Sequence, residues 1–361
     1  MNNIPYLLAL HSIDGLGPIR LKNLLDYFKD PKLAWEANSG ELQNLGIPRP
    51  TIDLLIDTRK KLDPLTLADS IKNSGIFWVS IFDDNYPKLL KQIYDPPTVL
   101  FYKGTLKDEE KALAVVGTRK ITGYGRLVTE QFVNGLVAGG LTIVSGLARG
   151  VDAQAHLSTI KAGGRTIAIL GGGLNYIYPP ENRSLSEQIV ESGGLVLSEF
   201  QPDYPSMPGN FPSRNRIISG LSLGVLVIEA AEDSGSLITA RLALEQGREV
   251  FAVPGPVTSH LSKGPVDLIK EGARVVMIAE EILDELGINN RLQVTGNRVQ
   301  YEAKLSEDEK QILDLLANEQ LHIDEICRKL NLSAAKVSGT LLKMEIAGFV
   351  QNLGSGMYCR V

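Results

Sequence analysis

The segment Ser213-Arg214-Asn215-Arg216-Ile217-Ile218 follows a short apolar run, Leu195-Val196-Leu197-Ser198-Glu199, and the two together decide the fold. The run has no polar alternation, which predicts a strand buried on both faces of a sheet. Phe211-Pro212 then predicts the start of a helix that Arg214 and Arg216 open. Two guanidinium groups beside the unpaired N–H groups of a helix start attract anionic oxygen, above all phosphate. The sequence therefore predicts a phosphate-binding loop beyond the end of this strand.

Eight further apolar runs alternate with helical patterns through the middle of the chain. They lie at residues 78–82, 99–102, 113–117, 141–145, 166–171, 224–229, 249–253 and 274–278. This alternation of strand and helix predicts an α/β fold with a doubly wound sheet. In such sheets ligands bind beyond the carboxyl ends of the strands, so we expect the functional residues directly after each strand.

The composition narrows the possible functions. The chain has 361 residues, enough for two or three domains, and a formal net charge of −5. This balance excludes a protein that coats nucleic acid through bulk positive charge, so any nucleic-acid site must be a local cluster. Cys327 and Cys359 make neither a disulfide framework nor a zinc site, and we expect no metal and no cofactor. No signal-peptide pattern and no run of about 20 apolar residues occurs, which predicts a soluble, cytoplasmic protein without membrane insertion.

The loop after the first core strand contains Gly117, Thr118, Arg119 and Lys120. Glycine lets a ligand approach the backbone closely, Thr118 offers a hydroxyl group and Arg119 supplies charge. The dinucleotide fingerprint G-x-G-x-x-G would need glycine in place of Arg119, and no acidic residue ends the second strand to hold a ribose. A nicotinamide cofactor is therefore not expected.

The next loop, SGLARGVD (145–152), places Arg149 between two turn glycines at the same edge of the sheet. Asp152 and His156 lie four residues apart, on one face of the following helix. Such a pair suits a catalytic site or half of a metal site. Because no third ligand is nearby, the sequence favours a role in capping and packing the helix.

Two later loops have related chemistry. Three glycines at 171–173 open a long loop in which Tyr176 and Tyr178 offer ring faces for bases, although tyrosines beside prolines more often pack. The segment SGSLITA (234–240) is typical of a hydroxyl-lined helix N-terminus, which binds phosphate through backbone N–H groups and Ser/Thr donors. Ordinary N-capping explains one of its serines but not the whole cluster.

Five ordered blocks resemble those of the DNA-processing protein A family (DprA, also called Smf). The blocks are GTRK (117–120), SGLARG (145–150), FPSRNRII (211–218), SGSLITA (234–240) and FAVPG (251–255). The resemblance implies an extended Rossmann-like domain over residues 76–288 that binds single-stranded DNA and forms a homodimer. It also implies that the protein protects incoming DNA and loads RecA recombinase during natural transformation. Val266 departs from the family pattern, which has asparagine there.

The loops and the resemblance together predict a DNA-binding set at the carboxyl edge of the sheet. The set is Gly117, Thr118, Arg119, Lys120, Gly146, Arg149, Gly172, Asn182, Arg214, Asn215, Arg216, Ser234, Gly235, Ser236 and Thr239. Its four arginines are expected to hold the phosphates.

Other domains flank the predicted sheet. Residues 1–75 predict a helical domain, in which IDGLGPIR (13–20) resembles a SAM-like helix-hairpin-helix whose turn amides touch phosphates; a protein-docking hairpin remains the alternative. Residues 289–304 are a predicted linker, and residues 305–361 resemble a winged helix. That tail carries six Lys/Arg and eight Asp/Glu, a balance of −2, so we favour protein docking over independent DNA binding.

An enzymatic alternative is a Rossmann-like nucleotide phosphoribohydrolase, which resembles the lysine-decarboxylase-like family. That chemistry uses a Pro-Gly-Gly-x-Gly-Thr-x-x-Glu loop with a carboxylate. The corresponding segment here continues from Thr239 to Ala240, Arg241 and Leu242, with no acid at the expected offset. The sequence therefore favours a binding protein without catalytic residues, and a purely structural scaffold would leave the converging arginines unexplained.

Overall fold

The computed structural model describes residues 3–288, 305–317, 319–346, 349–354 and 356–360. The chain divides into two compact units, Met1–Asn289 and Asn290–Val361. The predicted linker at 289–304 lies outside the described residues. Among the described residues, no helix is long and apolar enough to cross a membrane.

The first unit begins with six helices. They are α1 (Ile4–His11), α2 (Pro18–Phe28), α3 (Pro31–Glu36), α4 (Ser39–Asn44), α5 (Arg49–Arg59) and α6 (Pro64–Asn73). Proline opens α2, α3 and α6, where its missing N–H costs nothing, and Asp30 and Asp63 cap two of them. Leu7 and Leu10 of this bundle share a buried cluster with Phe101 of the sheet. The predicted helical domain is thus part of the same compact unit as the sheet.

A nine-stranded sheet follows and confirms all nine predicted strands. They are β1 (Phe77–Ser80), β2 (Val99–Gly104), β3 (Ala112–Val116), β4 (Thr142–Ser145), β5 (Thr166–Leu170), β6 (Leu195–Ser198), β7 (Gly224–Val227), β8 (Glu249–Ala252) and β9 (Arg274–Val275). The spatial order is β1-β2-β6-β5-β4-β3-β7-β8-β9. The strands from β6 to β9 are parallel, whereas β2 pairs antiparallel with β6 and with β1. The order β5-β4-β3-β7-β8-β9 is that of a Rossmann fold, and it reverses between β3 and β7.

Eight helices connect these strands or follow the last of them. They are α7 (Lys88–Lys91), α8 (Gly123–Ala138), α9 (Val151–Lys161), α10 (Arg183–Glu191), α11 (Asn210–Gly220), α12 (Gly235–Glu245), α13 (Lys263–Lys270) and α14 (Ala279–Glu285). The expectation that Arg214 and Arg216 open a helix is wrong, because α11 begins at Asn210. Pro212 is tolerated as its third residue, since the N–H groups of a first helical turn have no partner within the helix.

The second unit has the winged-helix order that the sequence predicts. Its elements are α15 (Glu307–Leu315), β10 (Leu321–His322), α16 (Ile323–Leu330), α17 (Ala334–Ile346), β11 (Val350–Gly354) and β12 (Met357–Arg360). Ser306 and Glu309 form the predicted capping box at α15. Ile312, Ile326 and Leu341 belong to a separate buried core.

Candidate nucleic-acid interface

A cleft of about 880 Å³ opens at the carboxyl edge of the sheet, where the strand order reverses. The loops after β3, β4 and β7 and the first turns of α11 enclose it. Ten members of the predicted DNA-binding set line this cleft. They are Gly117, Thr118, Arg119, Lys120, Arg214, Asn215, Ser234, Gly235, Ser236 and Thr239.

The loop after β3 has a fixed backbone and two exposed cations. The Thr118 N–H donates to the Glu229 carbonyl oxygen at 2.6 Å. The Glu229 carboxylate accepts from the Thr122 hydroxyl at 2.6 Å and from the Thr122 N–H at 3.1 Å. Arg119 and Lys120 are exposed at the cleft between these anchors. The loop therefore presents two positive charges from a fixed position.

The N-terminus of α12 forms another part of the cleft. Ser234 caps this helix of 11 residues, and its hydroxyl lies 2.8 Å from that of Ser236. The Asn215 amide nitrogen donates to the Gly235 carbonyl oxygen at 3.3 Å, which ties α12 to α11. Unpaired N–H groups and hydroxyls at the positive end of a helix dipole suit an anionic oxygen.

Arg214 lines the cleft, but its side chain is buried and connects the ends of two strands. Its side chain is 5% exposed, and Nη1 donates to the carbonyl oxygens of Gly146, at 2.6 Å, and of Ile169. A Cβ atom at Gly146 would lie 2.6 Å from Nη2, so only glycine leaves room for the guanidinium. Burial lowers the pKa of Arg214 to about 10, against the opposing influence of Asp152.

Asp152 and His156 serve the packing role that the sequence favours. The Asp152 carboxylate accepts from the N–H groups of Gly146, at 3.1 Å, and Ala148, at 3.4 Å, and burial raises its pKa. His156 Nδ1 lies 2.7 Å from the Thr166 hydroxyl, which itself donates to a carbonyl oxygen. Nδ1 therefore carries the proton. Burial and Arg214 lower the pKa of His156 to about 3. In the part of the chain that is described, no three His, Cys, Asp or Glu side chains are placed to hold a metal ion.

Arg216 is not at the cleft, and the expectation that it presents a free guanidinium there is wrong. Its side chain is buried, with Nη2 at 2.5 Å from the Glu199 carboxylate and Nε at 3.0 Å from the Asp95 carboxylate. Residues two apart on a helix point to different sides, so Arg214 and Arg216 of α11 face different neighbours. The ion pair fixes α11 against the end of β6.

The other predicted residues outside the cleft support its loops. The Asn182 amide nitrogen donates to the carbonyl oxygens of Leu147, at 2.8 Å, and Ala148, at 3.3 Å. The Gly172 carbonyl oxygen accepts from the Ser198 hydroxyl at 2.6 Å. Gly146 is buried between Asp152 and Arg214, whereas Arg149 is exposed near the cleft and paired with Glu181.

Three further residues line the cleft: Phe211, His260 and Tyr178. The sequence analysis did not predict Phe211 or His260 as site residues, and it left open whether Tyr178 stacks on bases or packs. The Arg119 guanidinium lies 5.5 Å from the centre of the Phe211 ring, which lies 5.7 Å from the Tyr178 ring. The aromatic residue before Pro212 was the available signal for Phe211. Tyr176 is exposed but does not line the cleft, and nor does Val266.

Comparison with known proteins places the chain in a family. The profile of the family described as DNA recombination-mediator protein A matches residues 77–287. The chain belongs to the DprA family. The profile of the DprA winged helix domain also matches, over residues 298–356. As a member of the DprA family, the chain is a DNA-processing recombination mediator.

Several DprA proteins are similar over most of their length. Protein Smf of Synechocystis sp. is 37% identical over 383 residues, which cover 96% of each chain. DNA processing protein DprA of Bacillus subtilis is 46% identical over 63% of this chain and 76% of its own. The X-ray structure of DprA from Streptococcus pneumoniae has a TM-score of 0.70 at 38% identity and covers 79% of this chain and 99% of that one. DNA processing protein A from Helicobacter pylori, solved for its single-stranded DNA binding mode, has a TM-score of 0.53 at 31% identity and covers 58% of this chain and 95% of that one.

Proposed function

We propose that the cleft binds single-stranded DNA, and that the protein protects the strand and loads a RecA-type recombinase onto it during natural transformation. The observation that carries the proposal is the chemistry of the cleft. Exposed Arg119 and Lys120 share it with the N-terminus of α12 and the hydroxyls of Ser234 and Ser236. Cations, amides and hydroxyls bind phosphates without reading sequence, as an agent that acts on any incoming strand requires.

The aromatic side chains in the cleft favour single strands over duplex. Phe211 and Tyr178 present rings beside the cations, and Tyr178 is exposed. Only unpaired bases can present their faces to such rings, whereas the bases of a duplex are already stacked on one another. The DNA-binding mode described for the similar Helicobacter pylori protein supports this choice of ligand.

Fluorescence anisotropy with a labelled oligothymidylate tests the proposal directly. Arg119→Ala should weaken binding about tenfold and make the salt dependence shallower by about 0.7 in log K against log salt, the contribution of one phosphate contact. Arg241→Ala is the matched control, because Arg241 is an exposed arginine of α12 outside the cleft. Equal affinity and salt slope in both variants and the unaltered protein would refute the assignment.

A second assay separates DNA binding from recombinase loading. The full chain should accelerate RecA filament formation on strands coated with single-strand-binding protein, and Arg119→Ala should lose that effect. Binding without acceleration would support the DNA site and refute the loading role.

We also propose that nucleoside monophosphates are not hydrolysed, since no carboxylate follows Thr239 at the catalytic offset.

We propose that two copies associate through the Rossmann-like domain, at the edge strand β9. Val275, Met277 and Ile278 are each about half exposed or more at this open edge. A second copy pairing there would cover apolar side chains and unpaired backbone groups together. Light scattering should show a dimer that Met277→Glu converts to monomer, and a Met277→Glu protein that remains dimeric would refute this surface.

A further inference from the structure

Arg149 lies at the rim of the cleft, in the loop between β4 and α9. Its neighbour Ala148 lines the cleft. Gly150 has φ +79, and a Cβ atom there would lie 2.1 Å from the Thr118 carbonyl oxygen. The loop of Arg149 is thus in direct contact with the loop that carries Arg119, and the two cations belong to one surface.

Arg149 has a protein counter-ion, whereas no acidic side chain of the described residues forms an ion pair with Arg119. Its Nε donates to a carboxylate oxygen of Glu181. The two side chains are 56% and 50% exposed, so a phosphate group approaching from solvent can reach the same guanidinium. Carboxylate and phosphate oxygens are equivalent partners for a guanidinium, and the two therefore compete.

The position of Glu181 is fixed by its neighbours. It lies in a single turn, Pro180–Asn182, and the Asn182 amide holds this turn to the carbonyl oxygens of Leu147 and Ala148. The segment that carries Glu181 is thus bonded to the loop that carries Arg149, although the two residues are 32 positions apart. An ordinary surface pair such as Arg183–Glu187 arises simply because its members are four apart on one helix.

We infer that Glu181 limits the affinity of the cleft, because it competes with DNA phosphate for Arg149. The inference rests on the proposed binding of single-stranded DNA. Glu181 holds Nε of Arg149, and its carboxylate repels a phosphate that approaches the same guanidinium, so a phosphate that engages Arg149 displaces Glu181. The released carboxylate then takes up a cation from solution. That uptake cancels about one of the counter-ions released from DNA. Glu181 therefore weakens binding and flattens its salt dependence, which favours release of the strand to the next protein.

The test compares full-length wild type, E181Q, R149A and the double variant by anisotropy with labelled oligothymidylate at several salt concentrations. E181Q should bind about two- to fivefold more tightly, the range for removal of one exposed competing charge. Its salt slope should be steeper by about 0.7. R149A should bind more weakly than wild type, and adding E181Q to R149A should change nothing further.

E187Q is the matched control, because Glu187 is an exposed acid paired with Arg183 away from the cleft. It should leave affinity and slope at the wild-type values. Unchanged binding by E181Q, with R149A weakened, would overturn the inference and leave the proposed function standing. Equal tightening by E187Q, or by E181Q in the R149A background, would also overturn it, since the effect would then be general acidity. Absence of binding in every protein, wild type included, would instead refute the proposed function.

Discussion

Two opposite charges are buried beneath the cleft, on Arg214 and Asp152. Removing a guanidinium from water is costly, and two carbonyl oxygens together with the nearby carboxylate offset that cost. Arg214 is therefore a structural element as well as a source of positive potential. Arg119 is exposed and has no such role.

This difference predicts that alanine at position 214 lowers the stability of the protein much more than alanine at position 119. Arg214→Ala removes the positive charge that faces the buried Asp152 carboxylate and the donor to two carbonyl oxygens, so it should lower the free energy of unfolding by about 3–5 kcal/mol. Arg119→Ala should change it by less than about 0.5 kcal/mol. Urea unfolding followed by tryptophan fluorescence measures both, because Trp35 and Trp78 are the two tryptophans and both lie in the first unit. Equal stability of the two variants would show that Arg214 is only a ligand contact.

His156 predicts a pH dependence of stability. Its folded-state pKa of about 3 lies below the ordinary value of 6.5, so the unfolded chain binds the proton more readily. The free energy of unfolding that depends on neutral His156 is fully present above pH 6.5. It falls as the pH drops toward 3, by up to about 1.4 kcal/mol per pH unit. His156→Gln, whose amide can still donate to Thr166, should remove that slope between pH 7 and pH 5. Parallel stability profiles of variant and wild type would contradict the prediction.

Helix α11 has two roles, on two of its sides. Phe211 and Arg214 are three residues apart and both line the cleft, whereas Arg216 pairs with Glu199 beyond β6. The sequence shows that arginines follow a strand, but it cannot show which of them meets a buried carboxylate. Glu199 lies 17 positions before Arg216 and Asp95 lies in an earlier part of the chain, and the packing of α11 brings both carboxylates to Arg216.

The strands were predictable because each is a short, unalternated apolar run with a turn on either side. Once the strands are known, the position of the loops after β3 and β7 is also predictable, because parallel strands place their carboxyl ends at one edge of the sheet. The contact between the Phe211 and Tyr178 rings was not predictable, because the two residues meet only when α11 packs against the long loop after β5. Spacing along the chain contains no information about that distance.

Phe211 provides a test at the scale of this helix. Phe211→Leu keeps apolar volume but removes the ring, so single-stranded DNA affinity should fall about fivefold or more, with the salt slope unchanged. Tyr176→Ala is the control, because Tyr176 is an exposed aromatic residue in the loop of Tyr178 and does not line the cleft. Anisotropy titrations at two salt concentrations measure both quantities. Equal affinities for the two variants would show that no base stacks on Phe211.

At the scale of the whole molecule the chain is acidic, whereas more Lys and Arg than Asp and Glu side chains line the cleft. The net charge is −5, yet Arg119, Lys120 and Arg214 are gathered at one cleft. The winged-helix unit adds −2 through residues 305–361, and in the described part of that unit Lys336 is already paired with Asp308. Since phosphate attraction dominates affinity for nucleic acid, we expect this unit to bind DNA poorly on its own, and we propose that it docks a protein.

Deletion of residues 305–361 tests whether the cleft binds DNA without the winged helix. The cleft residues all lie between 116 and 261, and the deletion changes the formal charge from −5 to −3, because it removes six Lys/Arg and eight Asp/Glu. Single-stranded DNA affinity should therefore stay within about twofold of the full chain or rise slightly at low salt. Tryptophan fluorescence of Trp35 and Trp78 checks that the first unit remains folded. A loss of tenfold or more, about 1.4 kcal/mol, in a folded truncated protein would show that the winged helix itself binds the strand.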